Sequence, residues 1–148
     1  MAYTKLIYHI VFSTKERRPF LYDEAFSEMC AYVGGVLRDQ GAHPVAVGGM
    51  PDHLHLAIIG RPTMRLSDLM REVKANSSKW IHGRFAALKA FGWQDSYSAF
   101  SVSESVLPDV VEYIRGQEAH HRKQTFQEEL LALLAKHGVE YDPRHIWT

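Results

Sequence analysis

Two histidines one residue apart, His53 and His55, stand in the run Pro51-Asp52-His53-Leu54-His55-Leu56-Ala57-Ile58-Ile59. Side chains on a strand alternate between faces, so both imidazoles project to one side while Leu54, Leu56 and Ile58 point to the other. Neutral imidazole nitrogen suits Zn, Mn, Ni or Fe. With a third oxygen donor, such a pair can hold a divalent ion and leave positions open for substrate. The chain has nine histidines, so a bare His-x-His also describes two polar residues on a solvated sheet face.

A second group lies in Val110-Val111-Glu112-Tyr113-Ile114-Arg115-Gly116-Gln117-Glu118-Ala119-His120. Residues four apart on a helix share a face, so Tyr113 and Gln117 can serve one site. A glutamine amide oxygen is a usable neutral third ligand. A tyrosine is a suitable nucleophile for a phosphodiester when the product is a covalent phosphotyrosine that conserves bond energy. The free phenol titrates near pH ~10, so a neighbour or a metal must assist it. Taken alone, Tyr113 reads as a core or helix-surface aromatic, one of seven tyrosines, and Gln117 as a solvated residue. His120 shares roughly the same face and is a rival third ligand or a proton carrier.

The elements that must position these groups follow from hydrophobic periodicity. Tyr3 to Ser13 alternates as a strand buried on both faces, which places it inside a sheet. Tyr22 to about Gln40 has apolar residues at helical spacing, with Asp23 placed to cap and Gly41 to terminate. His43–Val47 and His53–Ile59 form a hairpin across the turn-rich link Gly48-Gly49-Met50-Pro51-Asp52. A long amphipathic helix starts near Ser67, Trp93 to Ser103 reads as a strand or hairpin arm, and Pro108 opens a helix reaching about His121. Thr125 to His137 is a last amphipathic helix, with Phe126, Leu130, Leu131 and Leu134 on its stripe. The order β-α-β-β-α-β-α predicts an α+β, ferredoxin-like antiparallel sheet with helices on one face and the other free for a site.

With 148 residues, 46% hydrophobic and 23% charged, the sequence predicts one globular domain over residues 1–148. No stretch reaches the ~18 apolar residues of a membrane span and no signal-peptide pattern opens the chain, so the expectation is a soluble cytoplasmic protein. Cys30 is the only cysteine, which excludes an internal disulfide, and its apolar helical setting marks a structural thiol. A formal net charge of zero argues against a nonspecific DNA coat, which relies on a positive excess.

Three sets of residues together resemble the HUH single-tyrosine transposases of small bacterial insertion sequences, the IS200-like group. They are Val11-Phe12-Ser13-Thr14-Lys15 with Arg17-Arg18-Pro19, then Met50-Pro51-Asp52-His53-Leu54-His55, then Tyr113-Ile114 with Gln117, in the family's order and approximate spacing. The resemblance implies metal ligation by His53, His55 and Gln117 and a nucleophilic Tyr113. It further implies Mg²⁺ or Mn²⁺ as cofactor, single-stranded DNA with hairpin ends as substrate, and a homodimer with two active sites in which the tyrosine helix can complete the partner's site. Arg65, Arg71, Lys74, Lys79 and Arg84, with Lys15, Arg17 and Arg18, are then candidates to track phosphates, and Trp80, Trp93 or Tyr97 to stack bases. The same residues equally describe a solvated helix face and core aromatics.

Two other functions compete. A histidine-triad nucleotide hydrolase would need a third alternating histidine where this chain has Ala57. A ferredoxin-like nucleic-acid-binding protein that no longer cuts would keep the fold without the chemistry.

Overall fold

The computed structural model describes residues Met1–Thr148. Strand β1 (Leu6–Ser13) lies between β3 (His53–Gly60) and β4 (Ser98–Val102), and β2 (His43–Met50) pairs on the far side of β3. All pairs are antiparallel and the order is β2-β3-β1-β4. β1 is therefore interior, as its two-sided apolar pattern requires. It begins at Leu6 rather than Tyr3 because its ladder partners run out there: Leu6 faces Gly60, the last residue of β3, and Ile7 faces Val102, the last of β4.

One sheet face carries Ile10, Phe12, Leu54, Leu56 and Ile58. They pack against α1 (Asp23–Asp39) through Met29, Val33 and Leu37, and against α2 (Leu66–Arg84) through Leu69, Val73 and Ile81. This is the α+β, ferredoxin-like arrangement read from the element order. Cys30 packs against the same core, and burial pushes its thiol up to about 12, which leaves it protonated and inert at neutral pH. The opposite face is covered as well, by α3 (Leu107–Arg115), α4 (Gln117–His121) and α5 (Phe126–Lys136). Ile114 of α3 packs on Ala46 and Ala57, and Phe126, Leu130 and Leu134 of α5 pack on Val11 and Phe100.

Several local features differ from the sequence reading. Asp23 does not cap α1; it is the first helical residue, and Tyr22 holds the cap position without a side-chain hydrogen bond. The Gly48-Gly49-Met50 link continues β2, opposite His55, Leu54 and His53, so that only Pro51 and Asp52 turn. A Cβ on Gly48 would lie 2.9 Å from the Ile114 carbonyl oxygen, so the missing side chain is what lets α3 seat against β2. The helix expected from Pro108 to His121 is interrupted at Gly116, a residue with low helix propensity, which separates α3 from α4. The Trp93–Ser103 segment is a strand only from Ser98, because Trp93 turns into the core. Its ring centroid lies 4.6 Å from that of Phe12 and 4.9 Å from that of Phe91.

Trp93 brings a polar atom into that core, and its indole N–H donates to the buried Ser77 hydroxyl at 2.9 Å. Removing the acceptor leaves a buried donor unsatisfied, at about 1–3 kcal/mol. Ser77→Ala is expected to lower the urea unfolding free energy by about that amount with an unchanged m-value; a loss below about 0.3 kcal/mol would mean that the indole finds another partner.

Candidate metal and nucleophile site

The strand register sets the site. Ser13 pairs with His53, Val11 with His55 and His9 with Ala57, so His9, His53 and His55 share the sheet face that α3 to α5 cover. All three imidazoles are buried. His9 and His55 stack with ring centroids 5.1 Å apart, and His53 stacks on Phe126 of α5 at 4.4 Å.

Across from the histidines stand Tyr113 at the end of α3 and Gln117 at the start of α4. His53 Nε2 is 3.0 Å from Gln117 Oε1, and the His55 and Tyr113 rings are 5.7 Å apart. The structure therefore brings together all four residues nominated from the sequence, and the break at Gly116 does not separate Tyr113 from Gln117. Gln117 is buried, not solvated. His120 lies against the tyrosine, its Nε2 donating to the Tyr113 hydroxyl at 3.2 Å, rather than beside His53 and His55.

Sequence reasoning missed the residue at the centre. Glu129, on α5, is 1% exposed. Its Oε1 accepts from His55 Nε2 at 3.0 Å and from His121 Nε2 at 3.2 Å, and lies 3.3 Å from His53 Nε2. Its Oε2 accepts from Gln117 Nε2 at 3.0 Å and from the Tyr113 hydroxyl. The available signal was positional: Glu129 stands three residues after Phe126 and one before Leu130, a carboxylate on the stripe that packs into the sheet. His121 was missed too; its Nε2 also reaches Gln117 Oε1, at 2.9 Å.

The hydrogen-bond partners fix the charge states. His53 Nδ1 donates to Asp52 Oδ1 at 2.7 Å while its Nε2 faces Gln117 Oε1 and Glu129. Burial pulls this imidazole down, but the hydrogen bonds and charges of Asp52 and Glu129 outweigh it and raise it to about 9. His55 is lowered, burial outweighing Glu129, and His9 is lowered to about 3 by burial and by His55. The neutral pair is consistent with His9 Nε2 donating to His55 Nδ1 at 2.8 Å and His55 Nε2 donating to Glu129. Glu129 is held well below the usual carboxylate range, since its hydrogen bonds to His121, His53 and His55 outweigh its burial. Burial and the Glu129 carboxylate push the Tyr113 phenol well above its usual range. No buried side-chain polar atom lacks a partner.

The donor set fits a small divalent cation. One ligand atom from each of His53, His55 and Glu129 lies within 4.8 Å of the others. The 3.0 Å spacing of His53 Nε2 and Gln117 Oε1 is that of neighbouring donors around an ion with bonds of about 2.1 Å. Asp52 on His53 Nδ1 and His9 on His55 Nδ1 supply the outer hydrogen bonds that orient ligating imidazoles. Tyr113 also lines a cleft of about 480 Å³ with His9, Asp109, Lys136 and His137, so its ring is reachable from the surface.

The basic and aromatic residues nominated for nucleic acid are largely occupied elsewhere. Lys74 donates to the carbonyls of Gln94, Asp95 and Ser96 at 2.8–3.0 Å. Arg84 pairs with Glu24 and Glu28, Trp80 stacks on Tyr32 at 4.6 Å, and Trp93 is core. Lys15, Arg65, Arg71 and Lys79 remain exposed.

The family described as "Transposase IS200 like" matches residues 2–117. The ISDra2 transposase TnpA of Deinococcus radiodurans is 25% identical over 118 residues, spanning 76% of this chain and 84% of that protein. A crystal structure of a Deinococcus radiodurans R1 protein assigned as a transposase superposes with a TM-score of 0.66 at 28% identity, over 78% of this chain and 93% of the other. A REP-associated tyrosine transposase bound to a REP hairpin superposes with a TM-score of 0.60 at 19% identity, over 82% and 72%. The second is a likeness of fold.

Because the His53 imidazole is raised from 6.5 to about 9 on folding, its contribution to stability is complete below pH 6.5 and is lost as pH rises through 9. His9 and His55, both lowered, are neutral folded and unfolded across most of that window and do not oppose the trend. Lys74, lowered to about 8 by burial, acts in the opposite sense above that pH, so chelator-treated protein should melt at progressively lower temperature from pH 6.5 to 8, and His53→Gln should flatten that slope. A wild-type slope equal to that of the variant would show that His53 carries no proton in the folded chain.

Proposed function

We propose, from the premise that this chain belongs to the IS200-like transposase family, that it nicks and joins single-stranded DNA through a covalent bond between Tyr113 and a DNA phosphate. The observation that carries this reading is the convergence, in one chain, of His53, His55 and Gln117 with the Tyr113 hydroxyl around one buried point. A Mg²⁺ or Mn²⁺ ion held by His53, His55 and Gln117 would polarise the scissile phosphate as a Lewis acid.

The remaining work falls to the protein's own atoms. Tyr113 Oη attacks phosphorus, the Oη–P bond forms and the bond from phosphorus to the 3′ oxygen breaks, leaving a 5′-phosphotyrosine and a 3′-hydroxyl. The phenol is protonated at neutral pH, because burial and the Glu129 carboxylate both hold its proton in place. That proton lies on a hydrogen bond to Glu129 Oε2, so its release is directed at a fixed acceptor as the attack develops, and it is balanced by protonation of the departing 3′ oxygen. His120, donating to the same hydroxyl, orients its lone pair. A 3′-hydroxyl from another strand reverses the step on the phosphotyrosine, and no nucleotide triphosphate is consumed.

The DNA is read as a hairpin-ended single strand, a reading supported by the hairpin bound to the REP-associated neighbour. The strand approaches Tyr113 through the cleft beside Lys136. Tyr113 faces His55 of its own chain, so the homodimer that the family implies can cut in cis. We read residues 1–148 as one catalytic unit.

Incubating labelled single-stranded hairpins with the protein and Mn²⁺ should give an SDS-resistant protein–DNA band, reduced to background in Tyr113→Phe. A band of undiminished intensity in Tyr113→Phe removes Tyr113 as nucleophile, and hairpin binding with no band in the wild type favours a binding protein. By isothermal titration, His53→Ala and Gln117→Ala should each weaken Mn²⁺ binding roughly ten- to hundredfold. An unchanged titration removes the altered residue from the ligand set.

A further inference from the structure

We propose that Glu129 is a further ligand of the divalent cation at this site, and that its second oxygen fixes the Tyr113 hydroxyl beside that ion. This rests on the reading that His53, His55 and Gln117 hold a cation.

The region after Gln117 lies outside the residues matched by the family, so nothing in that match assigns a role to α5. The argument for Glu129 comes from its chemistry and placement. Its Oε1 lies 3.0 Å from His55 Nε2 and 3.3 Å from His53 Nε2, at the point where the Nε2 atoms of the pair converge. Gln117 Oε1 stands at the same point, 3.0 Å from His53 Nε2. Two imidazoles, one amide oxygen and one carboxylate oxygen make a mixed nitrogen and oxygen donor set for Mn²⁺ or Mg²⁺, and the carboxylate supplies the only anionic donor. A hard cation gains most from that donor. Two neutral imidazoles and a neutral amide would leave its charge uncompensated in a buried site.

The two carboxylate oxygens are divided between two tasks. Oε1 is turned to the histidines, while Oε2 is taken by Gln117 Nε2 and the Tyr113 hydroxyl. One rigid group thus spans the metal position and the nucleophile. Its own position is set by α5, which Thr125 caps with a reciprocal capping box to Glu128 and which Phe126, Leu130 and Leu134 anchor on Val11 and Phe100. A carboxylate held this way is pre-organised as a ligand and does not have to be recruited from solvent. His121 Nε2, 3.2 Å from Oε1, is the outer hydrogen-bond partner that such a ligand carries.

The opposite reading makes Glu129 a plug, an internal anion that satisfies the histidines and competes with the cation. The two readings predict opposite signs. The full-length protein is titrated with Mn²⁺ by electron paramagnetic resonance of the free ion, comparing wild type, Glu129→Gln, Glu129→Asp and His53→Ala. A ligand role predicts Mn²⁺ affinity lower by roughly ten- to hundredfold in Glu129→Gln, with partial recovery in Glu129→Asp. Unchanged or tighter binding in Glu129→Gln, with binding still lost in His53→Ala, overturns the proposal and leaves the His53, His55 and Gln117 reading intact. Absence of Mn²⁺ binding in the wild type overturns both. Should the variants not fold, crystals of the wild-type chain soaked in MnCl₂ decide the matter. An anomalous peak with Glu129 Oε1 within about 2.3 Å supports ligation, and a carboxylate beyond about 3.5 Å of the peak refutes it.

Discussion

The arrangement depends on one strand being asked to bury two unlike faces. Within β3, Leu54, Leu56 and Ile58 enter the main core, so the alternate residues His53, His55 and Ala57 must face the other way. Two of these are histidines, and both are buried. A buried imidazole needs hydrogen-bond partners, and the helices after β4 supply them. α3 brings Tyr113, α4 brings Gln117 and His121, and α5 brings Glu129. The second face of the sheet is thus covered by elements whose polar residues answer the histidines and whose apolar residues, Ile114, Phe126 and Leu130, pack around them.

Charge is balanced locally at this centre. An ionised carboxylate taken from water without compensation is costly by several kcal/mol even after the protein relaxes. Here Glu129 meets a protonated His53, a neutral His55 that donates to it, and the amide and phenol donors of Gln117 and Tyr113. The positive charge on His53 is supported by the carboxylate of Asp52, the residue before it in sequence. Replacing the proton on His53 with a divalent cation would raise the positive charge at the same point, which is the exchange a carboxylate-rich surrounding favours.

Much of this was legible from residue types and spacing. The alternation of β3 placed His53 and His55 on one face, the i and i+4 relation joined Tyr113 to Gln117, and the apolar stripes of α1 and α2 gave one packed side of a ferredoxin-like sheet. What escaped was set by tertiary contacts. Only its place on the apolar stripe of α5 separates Glu129 from Glu128, which closes a capping box in solvent while Glu129 is buried one residue later. Trp93 and Trp80 had the composition of base-stacking residues, but core packing and a Tyr32 partner claimed them. Lys74 reads as a phosphate contact until its three carbonyl acceptors are seen. Gly116 belonged to a helical pattern that continues on both sides of it, and only the backbone reveals the break.

The position of α5 along the chain bears on biosynthesis. Polypeptides emerge from the ribosome N-terminus first, and early elements pack before late ones exist. When β4 emerges, the four-stranded sheet and its α1 and α2 core can already be in place, with His53 and His55 on an open face. Glu129 is made 27 residues after Val102, the last residue of β4. The nascent chain therefore holds a histidine pair without its carboxylate, and Tyr113 without its acceptor, until α5 has been made. A site of this kind is assembled only after its sheet, and a chain abandoned before residue 129 leaves the ribosome with the sheet-forming segments but without the anion that organises its chemistry.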